Sequence, residues 1–428
     1  MRAEIISIGN ELLIGDTINT NASWMGAFMT EHGFEVSRVY TISDSIIQIK
    51  QSIISSMNES DIVLCTGGLG PTHDDMTKRA VAELFNMKMR TDKEVLAFVQ
   101  DYFARRNIPF SHSNFGQAEV PEACEVLFNN SGTAPGMWFN IDGKYLAVMP
   151  GVPHEMQYLM QNKVAPKLHQ VFGHTTHLYS RYIKTAGIGE STLSDNILGN
   201  LDSFLKDGVS LAFLPMAGGV TLRLNGTGST KSGAEQSVVP LADYIHKKAF
   251  EFIIGEGKEL TVSEVVGQLL VKSGQTLAVA ESCTGGMIAN EITHIAGSSA
   301  YFMGGLIAYS NSVKINQLSV LADDIENHGA VSKQVALQMA KNVAEKLGAD
   351  IGISTTGIAG PDGGSVEKPV GTIWIGYWDK TQHFAIKASF TKDRIINKER
   401  TTRTVLELVR RILKGVDSVP YNLEKQYP

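Results

Sequence analysis

Ser282 and Cys283 stand side by side in the stretch Leu277 to Met287, LAVAESCTGGM, and either could act as a nucleophile. The stretch begins apolar, as a buried strand does, then breaks into Thr284, Gly285 and Gly286 before a helical pattern runs on to Ile295. A nucleophile at such a turn stands clear of the sheet, and backbone N–H groups at the helix start can stabilise an oxyanion. A hydroxyl needs a base to take its proton. No histidine lies in the motif: His294 is at the far end of the following helix, and His328 and His383 are elsewhere, so spacing leaves a histidine triad open. The segment YSNSVK offers another base, Lys314, provided burial lowers its pKa from about 10.4. Tyr309 would relay the proton or orient the amine. A thiol near a cation ionises readily, so residue chemistry alone leaves Ser282 and Cys283 as alternatives.

Two further segments belong with this chemistry. TTGIAGPDGG follows an apolar strand, so its backbone amides can cradle a phosphate or a carbonyl, with Thr356 donating a hydrogen bond and Gly357 beside it. Lys392, Arg394, Lys398 and Arg400 open the last helix. Arginine binds phosphate through two parallel hydrogen bonds, which makes Arg394 the first choice for an anionic substrate. Each segment has an ordinary alternative, a tightly packed glycine turn and a solvated basic helix face.

The elements that must carry these groups follow from periodicity. The first third reads as strands Glu4–Ile8, Phe34–Val39 and Asp61–Cys65 alternating with helices Ala22–His32, Ser45–Met57, Lys78–Phe85 and Lys93–Arg106. This implies a parallel sheet with helices on both faces, binding ligands at the carboxyl ends of its strands. The loops there supply Asn10 and Glu11, then Gly67, Gly68, Gly70 and Asp74, with Ser131 and Gly132 in SGTAPG beside them. From about Gly173 the texture changes to a small α+β unit, in which GIGES loosely resembles a nucleic-acid backbone clamp. Glu190 has the wrong charge for phosphate there. The last third alternates again and closes on a helix over Arg394–Lys414. The expected fold is α/β and multidomain, with domains at 1–172, 173–257 and 258–428.

Composition limits the function classes. A 428-residue chain with 43% hydrophobic residues can bury several cores, and its net charge of −6 disfavours nucleic acid and anionic membrane as partners. No apolar run reaches membrane-spanning length, and the start carries an acidic residue where a secretory segment would be apolar, so a cytoplasmic protein is expected. Three scattered cysteines exclude a disulfide framework or a structural zinc site, and Cys65, ending IVLC, reads as a core thiol.

AESCTGG, the spacing to AYSNSVK, HGAVS at 328–332 and GIAGPDGGSVEKPVGT at 357–372 together resemble the C-terminal domain of the CinA (competence-induced) family, which is similar to stand-alone nicotinamide mononucleotide (NMN) deamidases. The resemblance implies hydrolysis of the NMN carboxamide to nicotinate mononucleotide and ammonia, without a cofactor. It implies Ser282 as nucleophile, Lys314 as base and Tyr309 assisting. Thr284, Gly285, Gly286, Thr356, Gly357, Arg394 and Arg400 are then substrate-binding candidates. FTKDRIINKER departs from the family's usual form by Lys392 before Asp393 and by an Asn and a Lys further on. Arg394 still matches the family's arginine.

GNELLIGDTINTN, TGGLGPTHDD and MPGVPHEM match the family's leading domain, which is similar to the three-layer MoaB/MogA molybdopterin-binding fold. Some members are described as metal-dependent ADP-ribose pyrophosphatases, which implies ADP-ribose as a second substrate. Pyrophosphate hydrolysis needs a divalent cation on oxygen ligands, and Asp75 and Asp44 are the candidates, with Glu11. Asp74 and Asp75 would otherwise cap the following helix. The resemblance also implies a homodimer. The alternative is a non-catalytic pterin- or nucleotide-binding scaffold linked to competence or DNA uptake.

Overall fold

A computed structural model describes the chain except residues 71–74, 174–176 and 217 and the side chains of 112 and 113. The described chain divides into two compact units, Met1–Tyr179 with Thr227–Ala234, and Ser180–Gly226 with Glu235–Pro428. Most of the expected middle domain, 173–257, therefore belongs to the same unit as the last third. Among the described residues no helix is long and apolar enough to cross a membrane.

The first unit is built on a sheet in the order Glu35–Ile42, Arg2–Ile8, Ile62–Thr66, Lys144–Met149, Gly136–Ile141, Glu125–Leu127. Successive side chains of a strand point to opposite faces. Accordingly Ala3 and Ile5 pack with Met25, Met29 and Met156 in one layer, while Ile6 and Ile8 pack with Ile49, Ile53 and Val81 in the other. The result is a three-layer α/β sandwich. The expected parallel pairing holds for the first four strands, and the last two pairings, of Gly136–Ile141 with Lys144–Met149 and with Glu125–Leu127, are antiparallel. The cause is local. Asp142 and Gly143 join Gly136–Ile141 to Lys144–Met149 with φ of 50° and 81°, a two-residue turn that only an antiparallel hairpin uses. Cys65 is fully buried, as a core thiol should be.

The second unit holds two sheets. An antiparallel one runs Ser210–Met216, Gly219–Gly228, His177–Thr185, Ile253–Glu256. A mixed one runs Phe302–Ile307, Leu277–Glu281, Ile351–Gly357, Thr372–Trp378, His383–Ser389, parallel across its first three strands. The parallel trio brings the carboxyl ends of three strands to one rim, with Glu281 in register with Ile307 and with Thr355. Helix Arg394–Leu413 crosses this unit. Its Val405 and Val409 stripe is buried as expected, but the helix is also buried around most of its circumference.

That burial takes charges with it. The Glu407 carboxylate accepts from Arg410 Nε at 2.7 Å and from Arg411 Nε at 2.7 Å. Arg410 Nη2 reaches the Glu251 carbonyl at 2.6 Å, and Arg411 Nη1 reaches Ser418 Oγ at 2.9 Å. The cluster pins the segment before Ile253–Glu256 and the chain end to this helix. Removing one partner of a buried ion pair strands the other, so Glu407→Gln is expected to cost about 3–5 kcal/mol, read as a shift in the urea midpoint.

Candidate active site

The strand Leu277–Glu281 ends at the rim, and the chain turns through residues 282–286 into helix Met287–Thr293. Gly285 and Gly286 take φ of 62° and 95°, a left-handed turn that a side chain would strain. Glu281 fixes it: its buried carboxylate accepts from the amides of Gly286 at 2.9 Å, Ile288 at 3.2 Å and Ala289 at 2.9 Å. This corrects the expectation that the helix start as a whole serves an oxyanion. Those amides are occupied by Glu281, and among the described residues no backbone carbonyl accepts from the Cys283 or Thr284 amide at this turn.

Lys314 comes from the first turn of helix Asn311–Leu318, which Ser310 caps by accepting from the Val313 amide at 3.3 Å. Side chains on a helix lean toward its N-terminus, and Lys314 leans back under its own turn. It is 1% exposed. Its Nζ lies 2.9 Å from Ser282 Oγ, 2.8 Å from the Ala308 carbonyl and 3.0 Å from the Tyr309 carbonyl. Burial pulls its pKa below the ordinary lysine value. In the neutral amine, the two carbonyls take two hydrogens and leave the lone pair toward Ser282 Oγ. The dyad expected from sequence is thus assembled.

Cys283 is largely buried, although it lines the same cavity as Ser282. It packs with Val279, Ile288 and Val405 in the core, and burial pushes its thiol up to about 12. A thiol held protonated is a poor nucleophile, which weighs against Cys283.

Tyr309 is placed differently from the relay role. Its ring is 61% exposed, and its hydroxyl accepts from Arg394 Nη2 at 3.0 Å rather than meeting Ser282 or Lys314. Its help to Lys314 is the backbone carbonyl. Arg394 Nη1 also donates to the Gly360 carbonyl at 2.8 Å, which holds the guanidinium at the mouth. The fully buried Asn397 supports it, donating to the Ala359 and Thr391 carbonyls at 2.8 and 2.9 Å.

Thr356 departs from its expected role as donor to a ligand, because its hydroxyl donates to the Ala330 carbonyl at 2.7 Å. Thr284 likewise pairs its hydroxyl with that of Thr355 at 2.8 Å. A cavity of about 170 Å³ joins Ser282, Lys314, Tyr309, Thr356, Gly357 and Arg394. Cys283, Asn311, Ala330, Val331 and Ala359 line it as well. Sequence reasoning passed over Asn311, although it sits inside the quoted YSNSVK.

Arg400 is not in this cavity. It lines a different one, with Ile188, Met216 and Tyr421. Six residues along a helix is a rotation of about 240°, which takes Arg400 off the face of Arg394, whereas Lys398 at four residues stays close to it. A side chain at Gly285 would come within 3.7 Å of Lys398 Nζ, so Lys398 overhangs the serine turn.

In the first unit a cavity of about 400 Å³ gathers Glu11, Asp44, Gly67, Gly68, Gly70 and Asp75 at the expected strand ends. Gly67 and Gly68 have φ of 111° and 66°, and added side chains would strike the Ile8 carbonyl and Thr77 Oγ1. Glu155, passed over in sequence, lines the same cavity. Its Oε2 accepts from Asn129 Nδ2 at 2.7 Å, and burial raises its pKa. Asn10 stands behind the wall, its amide donating to Asp44 at 3.0 Å. The Ser131 amide donates to Asn129 Oδ1 at 3.0 Å, and Gly132 lies against the Glu155 carboxylate. Asp74 lies outside the described residues. The helix Thr77–Leu84 starts from Met76, whose side chain makes no capping bond. Among the described residues no group of three His, Cys, Asp or Glu side chains is close enough to hold a metal ion, while Asp44 and Asp75 line one cavity.

Three family models match the chain in order. Residues 4–170 match a probable molybdopterin binding domain, 180–255 a damage-inducible protein CinA KH domain and 259–413 a CinA C-terminal domain. A CinA-like protein of Salinibacter ruber is 42% identical over 415 residues, 96% of this chain and 100% of its own. One from Chloroherpeton thalassium is 43% identical over 424 residues, 97% and 100% of the two chains. A putative competence-damage inducible protein of Alkaliphilus metalliredigens is 38% identical over 416 residues, 97% and 100%.

Proposed function

We propose, proceeding from a chain that belongs to the CinA-like family, that its last third is a cytoplasmic amidohydrolase converting NMN to nicotinate mononucleotide and ammonia. The observation that carries this reading is the buried contact of 2.9 Å between Lys314 Nζ and Ser282 Oγ. Neutral Lys314 takes the hydroxyl proton as Ser282 Oγ attacks the carboxamide carbon. The Cys283 and Thr284 amides are the donors offered to the oxyanion. Lys314 then returns the proton to the departing nitrogen, ammonia leaves, and the same amine activates the water that frees the acyl group. Release of one ammonia per nicotinate mononucleotide by the purified full chain is the test. If NMN is recovered intact, the reading fails.

Arg394 would meet the substrate phosphate at the mouth. Arg394→Ala is expected to raise KM for NMN by about 10–100-fold while kcat stays within about threefold, since a remote charge-assisted contact contributes equally to ground and transition states. Steady-state kinetics separate the two constants.

For the first unit, the acidic, glycine-floored cavity supports binding of a nucleotide such as ADP-ribose as a second activity within pyridine-nucleotide salvage. Hydrolysis there is expected only with added divalent cation and to fall at least tenfold in Asp75→Ala, read as AMP formed from ADP-ribose. ADP-ribose bound but left intact with Mg²⁺ or Mn²⁺ would reduce this unit to a binding module.

A further inference from the structure

A cavity of about 410 Å³ in the second unit is unused by the proposed chemistry, and it contains the two sequence features the amide site did not absorb, Arg400 and the GIGES turn. Its walls come from three places. The turn Ile188–Glu190 forms one, the strand ends Pro215–Met216 and Gly218–Val220 another, and Ala388–Phe390 with Arg400, Tyr421 and Leu423 the third. The volume lies in the range of small-ligand pockets, and most of the lining is apolar or aromatic with a few polar groups. Among the described residues Arg400 makes no ion pair. Glu190 lines the same cavity, yet the two opposite charges do not close on one another. The gap between them has one end for an anion and one for a hydrogen-bond donor.

The chain end is shaped to complete this cavity. Tyr421 and Asn422 both take left-handed backbone conformations, with φ of 57° and 53°, which side-chain-bearing residues adopt at a cost. They are held there by the Tyr421 amide donating at 2.9 Å to the carbonyl of Gly187, the first residue of GIGES. Tyr421 thereby faces the cavity together with Phe390. Two aromatic rings, one arginine and one acid match a nucleoside monophosphate: base against the rings, phosphate on Arg400, ribose hydroxyls donating to Glu190.

We propose that this cavity is a binding site for a nucleoside monophosphate, separate from both the amide-hydrolysing site and the first unit's cavity. The test is photolabelling of the full chain with 8-azidoadenosine 5′-monophosphate followed by peptide mapping. Label is expected on peptides containing Met216, Phe390 or Tyr421, competed by AMP. It should fall at least tenfold in Arg400→Ala, and also in Met216→Trp, which fills the cavity from its exposed side. Circular dichroism melting of both variants checks that a loss is not unfolding, and label on first-unit peptides serves as the internal control. Label confined to the first unit or to peptides around Tyr309–Lys314 would overturn the proposal. So would undiminished label on these peptides in Arg400→Ala. Since the readout is the position of the label, it is independent of whether NMN is hydrolysed.

Discussion

Ser282→Ala is expected to lower kcat for NMN deamidation by about 10⁴-fold or more, whereas Cys283→Ala keeps it within about threefold. Losing a nucleophile removes the covalent route altogether, and at 1.36 kcal/mol per decade a 10⁴-fold loss is about 5.4 kcal/mol of transition-state stabilisation. The adjacent cysteine cannot substitute. Its thiol is buried and pushed up to about 12, so at working pH it carries its proton. Its replacement removes one buried sulfur, a loss of about 1 kcal/mol seen in the melting temperature rather than the rate. Ammonia release measured on the two variants side by side decides the matter. Activity lost in the cysteine variant alone would reverse the assignment.

The second large effect is at Lys314. Lys314→Met is expected to lower kcat by about 10³-fold or more, and Lys314→Arg should not restore it, because a guanidinium stays protonated and cannot act as base. The pH profile carries the sign. Burial favours the neutral amine, so the working form accumulates as pH rises. kcat/KM should climb tenfold per pH unit on the acid side and level off at a pH below the ordinary lysine value of about 10.4. In the opposite case, with protonated Lys314 merely steadying negative charge, the rate would fall with rising pH.

What the sequence allows to be read follows from distance along the chain. Ser282, Tyr309 and Lys314 stand out by residue type and local pattern, but residue chemistry leaves Cys283 and a histidine base open, and it is the family resemblance that implies the serine–lysine pair. Glu281 escaped notice because a glutamate ending an apolar strand looks like the point where the strand meets solvent. Only the left-handed Gly285–Gly286 turn folds the helix amides back onto it. Arg400 was grouped with Arg394 by charge, although helical periodicity already separates their faces. The Asp142–Gly143 pair is a hairpin signal in the sequence itself, but alternating helices and strands on either side mask it. Arg410 and Arg411 could not have been placed inside by any local rule. Two adjacent arginines read as a solvated face until a third element, around Glu251, arrives to cover them.

Helix Arg394–Leu413 spans 20 residues, a rod about 30 Å long at 1.5 Å per residue. One end carries the guanidinium at the mouth of the amide site, and the other is locked by Glu407, Arg410 and Arg411 to the segment around Glu251. A rod clamped at its far end acts as a lever. Any tilt imposed on the antiparallel sheet arrives at Arg394 as a displacement of the phosphate contact, without passing through a flexible joint. The piece of the chain with no assigned chemistry thus sets the mechanical reference for the piece that has it.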